Sequence, residues 1–241
     1  MINIKKKEIL NFDTWRKTRE KDLLLTYVKA FEKNDRFSIK SGLKSSFDIY
    51  TEKGSGKYDG TDKQWHSAYM ISRELAIYQL DSEGNHTMSS LARDLIDSKI
   101  TPSEYWANYI LNFSQLIDGK VIHPLNEVLQ LIENLRIDFE QGQKISITQI
   151  LEIPLFKFSN TSADNSKNMA LILCRIIHNS SLMNYDGIGQ VLSFNGYNVD
   201  NLKAACTMWT GTIEEFKEMD HNEYVDMICK PNQFIYERTS D

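Results

Sequence analysis

The stretch from Thr61 to Leu95 constrains the fold more than any other part of this chain, because its pattern changes three times within a short distance. An amphipathic helix is predicted over residues 61–74, where apolar side chains recur along one face. The apolar run that follows, at 75–80, suits a β-strand, and Gly84-Asn85 can supply the positive φ of a tight hairpin turn. A second helical pattern begins at Ser89. The stretch therefore predicts a helix, a β-hairpin and another helix in immediate succession.

The rest of the chain is also mostly helical in its pattern. Helices are predicted over 14–34, 37–49, 101–113, 124–139, 145–151 and 169–177, and over 190–230 with interruptions. Loops are predicted at 51–60, 159–167 and 180–189, and a short closing strand at 233–236. The predicted fold class is mainly α with small β-wings, as tandem winged-helix-like subdomains over residues 1–118 and 119–241.

The cysteine content and the hydropathy of the chain indicate the cellular compartment in which the protein is expected to reside. The three cysteines are odd in number and far apart, which favours buried thiols in a reducing environment over disulfides. No apolar run reaches the ~18–20 residues that span a bilayer, and the N-terminal lysines are not followed by the apolar stretch of a signal peptide. We therefore expect a cytoplasmic protein without membrane contact.

The net charge of −5 is unevenly distributed along the chain. Residues 1–80 carry 16 Lys and Arg against 11 Asp and Glu, a net charge of +5. Residues 81–160 and 161–241 each carry 6 against 11, a net charge of −5. Phosphate contact is local and needs only one basic face, so the N-terminal part is compatible with nucleic-acid binding. The alternative is that the basic excess is an ordinary solvated surface.

Sequence patterns for metal binding and catalysis are weaker than the helix, hairpin and helix pattern of residues 61–95. The five histidines are scattered, and the cysteines lack the close spacing of zinc ligands, so neither a metal nor a cofactor is predicted. Restriction-type nucleases hold Mg²⁺ with an Asp and a downstream Glu-x-Lys, and Asp200, Glu215 and Lys217 have a loosely suitable spacing. The sequence around Glu215 nevertheless has the pattern of a capped helix start rather than a buried strand. A metal-dependent endonuclease is therefore a secondary hypothesis, and no catalytic residue is predicted.

The polar face of helix 61–74 is the strongest candidate for a binding surface. Lys63 and Arg73 suit phosphate or guanine, and Gln64, His66 and Ser67 suit base edges. Further DNA contacts are predicted from residues around this helix, namely Lys40, Lys44, Lys53, Lys57, Asn85 and His86. Every soluble helix needs a polar face, and winged helices also dock proteins. A protein-interaction adaptor built on winged helices is therefore the alternative.

These segments resemble the winged-helix units in the target-recognition parts of type IIS restriction endonucleases and related nicking enzymes. The resemblance covers roughly residues 15–155 and rests on residues 64–68, 73–75, 78–84 and 91–95, and on 110–113 followed by 123–125. It implies sequence-specific binding of double-stranded DNA as the recognition domain or subunit of a restriction-modification system. A separate nuclease domain or subunit would then be the partner that cuts. Asp81 stands where the wing of this family usually has Thr, which is expected to weaken the contact between wing and phosphate.

Overall fold

The computed structural model of this protein describes residues 21–52, 62–157, 162–196 and 198–236. For residues 21–23, 45–52, 62–67, 194 and 236 it describes the backbone alone. Within these residues the chain is mainly helical, with three small antiparallel sheets. The prediction of a mainly α fold with small β elements is therefore confirmed. Among the described residues, no helix is long and apolar enough to cross a bilayer.

The first part of the chain follows the predicted order of helix, hairpin and helix. Its elements are α1 (Lys21–Ala30), α2 (Arg36–Glu52), α3 (Asp62–Glu74), β1 (Tyr78–Leu80), β2 (His86–Met88) and α4 (Ser90–Ile96). Gly84 has a φ of +83° at the turn between the strands, a conformation that few other residues adopt. The Ser89 side chain accepts a hydrogen bond from the Ala92 amide and so caps α4. α1 ends before the predicted Asn34, and α2 runs beyond the predicted start of the loop at 51–60.

A second hairpin follows α5 (Pro102–Asn112), which begins with the predicted Thr101–Glu104 capping box. It joins β3 (Gln115–Ile117) to β4 (Lys120–Ile122) and leads into α6 (Pro124–Asn134). The hairpin was not predicted, although Asp118 and Gly119 both have the positive φ that a tight two-residue turn requires. The proposed division between residues 118 and 119 falls at this turn, and it stays a prediction.

The next part of the chain differs most from the sequence expectations. It contains β5 (Ile145–Ser146), α7 (Ile147–Ile150), α8 (Ala163–Asn179), β6 (Met183–Asp186) and β7 (Val191–Phe194). The strands form one antiparallel sheet in the order β5-β7-β6. The predicted loop at 159–167 is wrong from residue 163 onward, because the Ser162 side chain caps α8 there. The predicted loop at 180–189 contains β6, and helix α6 ends at Asn134 rather than at residue 139.

Four short helices close the described chain: α9 (Val199–Ala205), α10 (Ile213–Glu218), α11 (His221–Cys229) and α12 (Gln233–Tyr236). The predicted strand at 233–236 is wrong. The Asn232 side chain accepts a hydrogen bond from the Phe234 amide, which favours a helical turn over an extended chain. Buried apolar side chains from every helix except α10 belong to one continuous cluster, so the two predicted subdomains share a core.

Helix α11 covers the free edge of β1. The Asn222 side chain accepts from the Leu80 amide at 2.9 Å and donates to the Leu80 carbonyl at 2.7 Å, as a neighbouring strand would. His221 Nε2 lies 2.9 Å from the Tyr78 carbonyl oxygen, so this nitrogen carries the proton that it donates. The C-terminal part of the chain therefore takes the place of a third strand beside the first hairpin.

Asn222→Ala should remove both hydrogen bonds and lower the free energy of unfolding by about 1–2 kcal/mol. Hydrogen exchange at the Leu80 amide should accelerate more than exchange elsewhere in β1. Asn201→Ala, at an exposed position of α9, is the matched control and should change little. Unchanged exchange at Leu80 in the Asn222 variant would show that the contact is not maintained in solution.

Candidate nucleic-acid interface

Helix α3, the proposed recognition helix, has a clear inner face. Ala68, Ile71 and Leu75 are buried in the core, and the Ser72 hydroxyl donates to the Ala68 carbonyl at 2.8 Å. By helical register, residue 64 falls in line with 68 and 71, whereas residues 63 and 66 fall in line with 70 and 73. The register therefore favours Lys63 and His66 over Gln64 as members of an outer face, with Ser67 at its border.

Arg73 lies at the C-terminal end of α3 and is half-buried. After burial itself, its positive charge is the largest cause that lowers the pKa of His221, and it also acts on Tyr78 and Tyr224. Arg73 is therefore close to α11 and to the first strand. Recognition helices of helix-turn-helix proteins read bases with their N-terminal residues, so this position is less favourable for base contact than the predicted Lys63.

The tip of the β1–β2 hairpin is acidic and makes its own hydrogen bonds. The Asp81 carboxylate accepts from the backbone amides of Glu83 and Asn85 at 2.9 and 2.8 Å. The Asn85 side chain donates to the carboxylates of Asp81 and Glu83. Hydrogen bonds from Asn85 are the main cause that holds the Asp81 pKa below its usual value. Two ionised carboxylates repel phosphate, so the predicted contact between Asn85 and the DNA backbone is not favoured in this conformation.

His86 is only 9% exposed and belongs to an aromatic cluster rather than to the surface. Its Nε2 lies 2.9 Å from the Tyr69 hydroxyl, and its ring centroid lies 4.8 Å from that of Tyr78 and 5.9 Å from that of Phe31. Burial, followed by the charge of Arg36, lowers its pKa. His86 therefore joins the hairpin to α1 and α3, and we leave it out of the proposed DNA contacts.

The predicted flanking lysines are only partly described. Lys40 and Lys44 lie one turn apart on α2, are half-exposed and take part in interactions of their own. Helix α2 packs between α1 and α3, which places both lysines on an element that contacts the proposed recognition helix. Lys53 and Lys57 lie outside the described residues. Lys63, Gln64, His66 and Ser67 lie on the part of α3 for which only the backbone is described.

The order of two helices and a hairpin occurs twice more, at α4, α5 and β3–β4 and at α7, α8 and β6–β7. Helix α5 is buried from Tyr105 to Asn112, so only α8 of the later two offers exposed positions. The helices of this last unit were predicted in part, at 145–151 and 169–177, but its hairpin was not, because 180–189 was predicted as a loop and 190–230 as helical. Asn165, Lys167 and His178 are exposed on α8. Residues 144–196 carry four Lys and Arg against three Asp and Glu, a net charge of +1. This unit is therefore free of the acidic excess that characterises the chain after residue 80.

Of the residues of the endonuclease hypothesis, Glu215 has a helix-capping role. Glu215 accepts hydrogen bonds from the Thr212 amide at 2.7 Å and the Thr212 hydroxyl at 3.0 Å, which lowers its pKa. Asp200 lies in the first turn of α9, where the Asn198 side chain accepts from its amide. In the described part of the chain, no group of three or more His, Cys, Asp or Glu residues is placed to hold a metal ion.

Comparison of the chain with models of known protein families gave no match, and comparison with curated proteins likewise gave none. What this protein binds is therefore inferred from its own residues and geometry.

Proposed function

We propose that this protein binds double-stranded DNA with sequence preference, through two helix-turn-helix units of the winged-helix type. The observation that carries the proposal is the repeated order of elements. Helices α2 and α3 are followed directly by the β1–β2 hairpin, and α7 and α8 by the β6–β7 hairpin. In the second unit, β5 precedes the helix pair and adds a third strand to the hairpin. The second helix of such a pair enters the major groove, which gives this role to α3 and α8.

The distribution of charge supports the same surfaces. The basic excess lies within residues 1–80, which include α2 and α3, and residues 144–196 are nearly neutral. The acidic excess lies instead in two other segments. Residues 81–143 carry ten Asp and Glu against four Lys and Arg, and residues 198–241 carry nine against four. Acidic helix α11 lies beside β1 and Arg73, at the C-terminal end of α3. The proposed contacts lie toward the N-terminal end of α3, and phosphate attraction is local. The proposed contacts are Lys63, His66 and Ser67 on α3, with support from α2.

The resemblance to recognition domains of type IIS restriction and nicking enzymes suggests the setting. In that setting the protein is a cytoplasmic recognition domain or subunit, and a separate nuclease domain or subunit makes the cut. The helix-capping role of Glu215 gives no support to a nuclease centre made from Asp200, Glu215 and Lys217. Cleavage of a bound duplex by the purified chain with Mg²⁺, abolished by Glu215→Ala, would reverse this assignment.

Binding to a pool of short random-sequence duplexes tests the proposal directly. Lys63→Ala should weaken binding to all sequences and reduce the salt slope by about one, since one phosphate contact is lost. Ser67→Ala should instead relax preference at one base pair, at a cost of ~1–3 kcal/mol. Lys217 is exposed on α10, so Lys217→Ala is the control. It should leave the affinity, its salt slope and the base-pair preference unchanged. A wild-type protein that neither binds at low salt nor enriches any sequence would overturn the proposal.

An adaptor for protein partners is the second candidate, because the acidic tip of the β1–β2 hairpin lies beside acidic helix α11. Asn222 on α11 bonds Leu80, next to Asp81, so the two acidic elements form neighbouring surfaces. Such a surface suits a basic partner better than it suits DNA. This role would be favoured if the protein does not bind duplex DNA at low salt but forms a stoichiometric, salt-sensitive complex with a basic protein.

A further inference from the structure

The tip of the β6–β7 hairpin displays one isoleucine almost completely to solvent. Ile188 is 99% exposed, more than any other large apolar side chain whose exposure the structure describes. Its neighbours at the tip are Gly187, Gly189 and the polar residues Asp186 and Gln190. An isolated exposed apolar residue is common on protein surfaces, so exposure alone would mean little. The construction of the tip is what distinguishes Ile188.

Asp186 holds the tip in one shape. Its carboxylate accepts the Ile188 amide at 2.9 Å, and the Gly189 amide also donates to it. A Cβ on Gly189 would come within 2.6 Å of the Asp186 carboxylate oxygen, so a glycine is needed for this close approach. Gln190 follows with a φ of +51°. The backbone is therefore fixed by local bonds on both sides of Ile188, and the side chain points outward from an ordered turn.

The size of this apolar feature limits what it can bind. A stable protein interface buries on the order of 1,000 Å² or more, which a lone isoleucine between two glycines cannot approach. Minor-groove proteins, in contrast, insert one apolar side chain between two base pairs and kink the duplex. The flanking glycines keep the tip narrow enough for a groove. The Asp186 carboxylate is ionised and opposes phosphate as Asp81 does, but the charge of Lys144 acts on it and partly offsets that repulsion.

We propose that Ile188 is an apolar wedge that enters the minor groove beside the segment read by α8 and opens a base step. The proposal rests on the proposed function, since it needs a DNA-binding protein. It adds that the bound duplex is bent, and it assigns the bend to one side chain. The hairpin follows α8 directly in the chain, so a helix in the major groove and a tip at the adjacent minor groove are compatible with one short site.

Energy transfer between dyes on the two ends of a short duplex measures the bend. The probe is a duplex enriched by the wild-type protein from the random pool or, without enrichment, the pool itself. The wild-type protein should bring the ends closer together. Ile188→Ala should bind about tenfold more weakly and leave the duplex straight, because most of the inserted apolar surface is lost. Ile188→Leu should retain the bend, and Leu135→Ala, which removes an exposed apolar side chain on another element, should behave as wild type.

The outcomes separate the two proposals. A wild-type protein that binds the duplex without bending it would overturn the wedge and leave DNA binding intact. The same holds for an Ile188→Ala variant that binds and bends the duplex as the wild type does. A wild-type protein that binds no duplex at low salt would overturn the proposed function, and the wedge would fall with it. Because Ile188 has almost no contact with the rest of the chain, these variants should fold normally.

Discussion

Replacing Asn112 with leucine is expected to lower the free energy of unfolding by about 2–4 kcal/mol, because it leaves buried polar groups without partners. Asn112 is 1% exposed. Its amide donates to the carbonyls of Ile228 and Lys230 at 3.0 and 2.7 Å, and its oxygen accepts from the Thr207 hydroxyl at 2.7 Å. The Ile228 carbonyl retains a bond from Asn108, so the main loss falls on Lys230 and Thr207. Chemical denaturation, followed by fluorescence, measures the change.

The expected consequence is specific to the C-terminal segment, because Asn112 joins α5 to residues on both sides of α11. Hydrogen exchange should therefore accelerate across α11 and α12 before it does so in α8. Asn134→Leu is the matched control, since Asn134 is exposed at the end of α6. A loss of less than about 0.5 kcal/mol in the Asn112 variant, typical of surface substitutions, would contradict the proposed importance of these bonds.

Acidification is expected to destabilise the protein as the pH falls from 6.5 toward 4, mainly through His221. Burial first, and then the charges of Arg73 and His86, lower the His221 pKa from 6.5 to about 4, although the bond to Tyr78 and the charge of Asp220 oppose the shift. A histidine with a lowered pKa in the folded state binds its proton more readily when unfolded. Its contribution is therefore fully present above pH 6.5 and is lost as the pH falls toward 4.

The full pKa change corresponds to about 3 kcal/mol, since one pKa unit is worth ~1.36 kcal/mol. Buried His123, whose pKa burial also lowers, should add a loss in the same direction. Urea denaturation at a series of pH values measures the total. His221→Gln cannot titrate and should flatten the pH dependence. An equal slope for wild type and His221→Gln would assign the acid lability to other groups.

Signals that act within a few residues allowed much of the fold to be predicted. The Thr101–Glu104 capping box and the Ser89 cap each satisfy amide groups of their own helix, so they identify helix starts without knowledge of the rest of the chain. Gly84 similarly predicts its turn. The same signals did not predict the helix start at Ser162, whose polar neighbours resemble a linker, or the turn at Asp118-Gly119, where no hairpin was predicted.

The candidate interface was harder to predict because its availability depends on distant residues. His86 is polar and follows a turn, which suggested exposure, but Phe31, which follows α1, and Tyr69 on α3 cover it. Arg73 has the sequence position of an outward-facing cation, yet α11 approaches it from the far end of the chain. Amphipathic periodicity shows which face of α3 is apolar. It does not show which parts of the polar face another element will cover.

The contact between Asn222 and Leu80 has a consequence for synthesis of the chain, because 142 positions separate the two residues. Ribosomes add about 5–20 residues per second, so the edge of β1 waits on the order of ten seconds for the helix that completes it. An uncovered strand edge is a template for pairing with other chains. The nascent protein therefore passes through an interval in which its first hairpin can aggregate. Chaperones that shield strand edges during that interval should raise the yield of folded protein.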